Sequence, residues 1–144
     1  MRIPFRLVDA FAAAPFGGNP APVFVLPDAR DAAWCQAVAA EMNASNTAFV
    51  VAPAQDGDGS WGLRWFTPKV EVPLCGHGTL ATAHVLWEDG HELPETPIRF
   101  QTLSGALTAF RRPARRIARS VPTGDRSSAS ASFACTSSRH AVAC

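Results

Sequence analysis

Apolar and polar positions alternate from Ile3 to Asp9, which predicts a strand. Gly17-Gly18-Asn19-Pro20 is strong turn chemistry, so residues 12–20 read as a loop. Ala21–Leu26 reads as a second strand, stopped by Pro27-Asp28. Asp31 opens a helix running to about Asn43, because Trp34, Val38 and Met42 recur on one face. Thr47–Val51 and Trp61–Phe66 are further strands, joined by the hairpin-type run Gln55–Ser60. Ile98–Thr102 and Ala106–Phe110 form a last pair, linked through Ser104-Gly105.

One segment breaks the alternation. From Thr79 to Trp87 only two threonines and His84 interrupt an apolar run, and Asp89-Gly90 ends it. A surface helix would carry a polar stripe. This one has almost none, so it should be buried on most sides. Hairpin-like strands imply antiparallel pairing. The expected fold is α+β, a curved, mainly antiparallel sheet wrapped around a buried central helix.

After Phe110 the periodic pattern ends. Residues 111–144 hold seven Arg, seven Ser and one acid, Asp125, for a charge of +6. Residues 1–110 hold six basic and eleven acidic side chains, for −5. The split predicts a domain over 1–110 and a disordered tail over 111–144, with a departure of the reading frame as one origin for it. No aromatic platform or reading helix accompanies the arginines, so composition does not favour a nucleic-acid partner. No run of 18 uncharged apolar residues predicts a membrane span, and no apolar leader precedes the first strand. Cytoplasmic localisation is therefore expected. Cys35, Cys75, Cys135 and Cys144 contain no CxxC pair and read as free thiols.

The chemistry concentrates in Leu74-Cys75-Gly76-His77-Gly78-Thr79, where the buried helix begins. A helix's first turn offers free N–H groups and about half a positive charge, a seat for an anion. A thiol placed there should have its pKa lowered. An imidazole titrates near neutrality. A carboxylate could sit against Gly76, His77, Gly78 and Thr79, with Cys75 and His77 as proton carriers. The two glycines would equally serve packing, with Cys75 a small buried apolar residue. The P-loop lysine is absent. His77, His84 and His91 are seven apart, about 10.5 Å per step along one helix, too far to share a metal ion. His84 therefore reads as a packing residue and His91 as a surface one. Asn19 and Asn46 could present amides to a ligand, whereas Asp9 and Glu71 read as solvated strand ends.

Four stretches carry a resemblance: "FGGNPAPVFVL", "AAEMNASNTAFVV", "LRWFTPKVEVPLCGHGTLATAHVL" and "IRFQTLSGAL". In this order, over residues 3–109, the chain resembles the phenazine-biosynthesis PhzF-like isomerase family, which shares the diaminopimelate epimerase fold. The resemblance implies a two-lobed enzyme, commonly dimeric, whose cleft binds a small carboxylate-containing substrate. It implies proton transfer without metal or organic cofactor. Gly76 and His77 take the places of the family's substrate-binding and proton-handling pair.

The sequence departs from the family at Asn46, where the family's motif carries a glutamate that handles a proton. An amide cannot, so Cys75 or His77 is expected to take the role. The catalytic candidates are thus His77, Cys75 and Asn46. The substrate-binding candidates are Gly76, Gly78, Thr79 and Asn19. The second lobe is expected to be missing, leaving an incomplete isomerase. The alternative expectation is a non-catalytic, small-molecule-binding fragment.

Overall fold

Each strand expected from the alternation forms, as do both helices. The structure is a computed structural model describing residues 2–12, 17–111, 133–137 and 141–143, the last two segments as backbone strands. The elements run β1 (Arg6–Ala10), β2 (Asn19–Leu26), α1 (Ala32–Met42), β3 (Thr47–Val51), β4 (Trp61–Phe66), β5 (Glu71–Val72), α2 (Gly76–Glu88), β6 (Ile98–Thr102), β7 (Gly105–Arg111), β8 (Phe133–Ser137) and β9 (Ala141–Ala143).

The strands join in one sheet, ordered β1-β2-β3-β4-β6-β7-β8-β9, with β5 paired to β4. Most pairs are antiparallel, but β2–β3 and β4–β6 are parallel. A helix stands between the strands of each parallel pair and returns the chain to the end it came from. The sheet is therefore mixed. Helix α2 touches β1 and β2 near one end of the strand order and β7 and β8 near the other. Only a strongly curled sheet allows one helix both contacts, so α2 is the central helix of an α+β fold.

Strand periodicity divides the core in two. Ala21 and Val23 of β2, Ala48 and Val50 of β3, and Leu63 and Trp65 of β4 face α2. Phe24, Leu26, Phe49 and Phe66 point the other way, onto Cys35 and Ala39 of α1. Strand β2 is thus buried on both faces, which explains its continuous apolar reading. Helix α1 starts as expected, with Asp31 accepting from the Trp34 amide at 2.7 Å. It ends at Asn43, whose φ of 49° is the left-handed cap that asparagine tolerates.

Within the span expected to be a disordered tail, two segments are described as strands. Strand β8 adds to the open edge of β7, pairing Leu107 with Ser137 through Arg111 with Phe133, and β9 adds to β8. An unpaired edge supplies the hydrogen-bonding template that local composition does not reveal. Residues 112–132, 138–140 and 144 lie outside the described residues. Among the described residues, no helix is long and apolar enough to cross a membrane.

Candidate functional site

Topology brings three remote segments to one end of the sheet. Strands β2 and β3 are parallel, so the loops that enter them share an end. Asn19 opens β2 at that end, and Ser45-Asn46 lie in the loop that enters β3. Strand β4 is antiparallel to β3 and finishes at that same end, Phe66 opposite Thr47. Strand β5 folds back on the tail of β4, and α2 starts directly after it.

Cys75 is the N-cap of α2, its sulfur accepting from the Gly78 amide at 3.4 Å. The Thr79 amide already bonds to the Cys75 carbonyl at 3.0 Å, and the Thr79 hydroxyl donates to the same oxygen at 2.7 Å. Of the first-turn amides, that of Gly76 is left to face an anion, whereas the His77 amide lies toward the Cys75 sulfur. The seat is therefore smaller than the sequence implied. Gly78 and Thr79 are buried and engaged, whereas Gly76 and His77 are half-buried.

The two glycines have opposite surroundings. A Cβ on Gly76 would meet nothing within 4 Å. A Cβ on Gly78 would lie 2.8 Å from Trp65 Cδ1 and 3.1 Å from Cys75 Sγ. Gly76 leaves room for a ligand, and Gly78 leaves room for an indole. Trp65 is 1% exposed, and its Nε1 is buried with no hydrogen-bond partner.

Cys75 Sγ lies 3.3 Å from His77 Nδ1. The sulfur is also 4.0 Å from Nε2, and Ser45 Oγ lies 3.5 Å from that same nitrogen. The Ser45 hydroxyl donates to Asn19 Oδ1 at 3.1 Å. Burial pushes the Cys75 thiol up, outweighing the Gly78 and His77 amides that favour the thiolate. This corrects the expectation of a lowered thiol pKa, because Cys75 is only 5% exposed and desolvation wins. Burial also pushes the His77 imidazole down from its ordinary value. Both groups are neutral at pH 7, one facing the interior and the other half open to solvent.

The remaining candidates divide. Asn19 joins the string of side chains through Ser45. Asn46 does not, and its buried Oδ1 has no hydrogen-bond partner. Asp9 is exposed. Glu71, expected to be solvated, is instead held by Arg64 in a two-pronged ion pair at 2.7 and 2.8 Å that ties β5 to β4. His91 meets the Trp61 ring edge-on at the surface. Among the described residues no group of three His, Cys, Asp or Glu side chains could hold a metal ion. Ser45 was not singled out by sequence reasoning. Its signal was the parallel pairing of β2 with β3, which puts it beside Asn19. Separately, a cleft of about 400 Å³ opens on the α1 face, lined by Leu26, Arg30, Cys35, Phe49 and Arg64, and includes none of the Cys75–His77 string.

Comparison with known proteins agrees with the fold. The family profile described as phenazine biosynthesis-like protein matches residues 8–139, past the stretch over which the resemblance was traced. An uncharacterized isomerase from Halalkalibacterium halodurans is 57% identical over 112 residues, covering 78% of this chain and 41% of that protein. The crystal structure of a PhzF-family phenazine biosynthesis protein from Enterococcus faecalis is similar at a TM-score of 0.70 and 45% identity, covering 78% of this chain and 41% of that one. The structure of a predicted epimerase from Pseudomonas aeruginosa, 24% identical with a TM-score of 0.68, covers 94% of this chain and 42% of its own and shows the fold alone. The chain spans about two fifths of the length of the curated relatives it matches.

Proposed function

Because the chain belongs to the phenazine biosynthesis-like (PhzF) family, we propose that it supplies one wall of an isomerase or epimerase site, moving a proton on a small carboxylic acid without metal or organic cofactor. The observation that carries this reading is the thiol–imidazole contact, Cys75 Sγ to His77 Nδ1 at 3.3 Å, at a helix start left open at Gly76. The carboxylate accepts from the Gly76 amide, where the helix dipole favours negative charge. His77 is the half-exposed partner and faces the substrate through Nε2; Cys75 stands behind it.

The pair stores one exchangeable proton. Nε2 gives its proton to a substrate carbon, which binds it with the electron pair of a double bond conjugated with the carboxylate, as Nδ1 takes the thiol proton, leaving a thiolate beside the Gly78 and His77 amides. In the reverse sense Nε2 takes a proton from the carbon next to the carboxylate, and the Nδ1 proton returns to sulfur. The electron pair of the broken C–H bond moves onto the carboxylate, held by the Gly76 amide.

A second reading is a small-molecule-binding fragment without catalysis. It is favoured by Asn46, an amide where the resemblance places the family's glutamate. Incubation of the chain with a panel of small unsaturated carboxylic acids in D₂O separates the two. Deuterium entering next to the carboxylate, and its loss in His77→Gln, supports the isomerase reading. Saturable binding with no deuterium uptake by any acid of the panel supports the fragment and overturns catalysis by this chain.

A further inference from the structure

Beyond the thiol–imidazole pair, we infer that Ser45 and Asn19 form a tautomer clamp that holds the proton of His77 on Nε2 and so leaves Nδ1 bare toward Cys75. The inference rests on the reading of His77 as proton carrier, but its geometry stands without substrate.

The clamp follows from hydrogen-bond direction. An asparagine carbonyl oxygen only accepts. Ser45 therefore spends its one proton on Asn19 Oδ1, at 3.1 Å. Its oxygen then has only lone pairs to offer His77 Nε2, 3.5 Å away. A neutral imidazole carries one N–H, and the tautomer follows what each nitrogen faces. Nε2 faces an acceptor and carries the proton. The thiol of Cys75 is nearer Nδ1, at 3.3 Å, than Nε2, at 4.0 Å, and donates to Nδ1. Sγ in turn accepts from the Gly78 amide. Every donor in the string Cys75–His77–Ser45–Asn19 points the same way.

The direction has a consequence. The string loads the open side of the ring with a proton, so the resting site is set to donate rather than to abstract. The Ser45–His77 distance lies at the long end of hydrogen bonding, as is common in sites without ligand. A substrate approaching Gly76 can take the place of Ser45 at Nε2. Ser45 is thus a positioning residue acting through His77, and Asn19 acts through Ser45.

The test is ¹⁵N NMR of the histidine side chains in the full 144-residue chain at neutral pH, with His77 assigned by its loss in His77→Gln. The wild type should show protonated Nε2 and bare Nδ1. In Asn19→Ala the serine proton has no acceptor and turns to Nε2, so the ring should move toward the Nδ1–H form. Ser45→Ala should give a mixture, and Ser45→Thr should restore Nε2–H. Ser45 is exposed and Asn19 half-buried at a strand entrance, so these variants leave the core intact. A wild-type ring protonated on Nδ1 would overturn the clamp, as would a tautomer indifferent to both Asn19→Ala and Ser45→Ala. The readout needs no substrate. Failure of deuterium exchange with a correct tautomer would discard the isomerase reading alone.

Discussion

Cys75 Sγ rests 3.3 Å from His77 Nδ1, a neutral thiol against a neutral imidazole, because burial opposes charge on both. That shared cause fixes how stability varies with pH. His77 has its folded pKa depressed, so the unfolded chain takes up the proton first as pH falls through the ordinary value of 6.5. Stability is lost on that side. Cys75 has its folded pKa raised, so the unfolded thiol ionises first as pH rises through the ordinary value of 9.0. Stability is lost there too, and Cys35, raised by its own burial, adds to the loss. Denaturation midpoints should therefore form a plateau between those two values. His77→Gln should flatten the acid limb and Cys75→Ala the basic limb. A midpoint still rising above 9.0, or an acid limb unchanged in His77→Gln, would contradict the assignment.

The two glycines of the Gly76-His77-Gly78 turn separate packing from access. Gly78→Ala pushes a methyl group to 2.8 Å from Trp65 Cδ1 and should destabilise the chain by about 1–3 kcal/mol. Gly76→Ala meets open space and should leave stability unchanged or raise it by up to about 1 kcal/mol. Urea denaturation of the two variants checks both. Equal losses would mean that Gly76 also packs.

Asn46 sits in a family motif, yet its Oδ1 is buried without a hydrogen-bond partner. A buried acceptor left unpaired costs about 1–3 kcal/mol. Asn46→Ala removes that group and should change stability by less than about 1 kcal/mol, in either direction. A loss much beyond that in urea denaturation would show that the amide is bonded in solution.

Much of this was legible in the residues. Alternation in β4 marks its inward face, the apolar runs of β2 and β3 mark strands buried on both sides, and the near-absence of a polar stripe from Thr79 to Trp87 announces the helix that the sheet encloses. The thiol, the imidazole and the helix start were visible as one turn. Three things were not. The parallel pairing of β2 with β3 depends on where α1 returns the chain, and without it Ser45 and Asn19 have no reason to meet. The burial of Cys75 is tertiary, and it reverses the pKa shift that a helix terminus alone would impose. The pairing of β8 is set by the exposed edge of β7, not by any periodicity of its own.

The central claim is that the open first turn of α2 holds a carboxylate. It is tested most directly by titrating the ¹⁵N-labelled chain with acetate at constant ionic strength and following backbone amides. Saturable shifts should concentrate at Gly76 and His77, spare Thr79, and disappear in Gly76→Val, whose side chain fills the opening. Shifts that fail to saturate, that spread evenly over surface amides, or that persist in Gly76→Val would show that the turn is no anion seat.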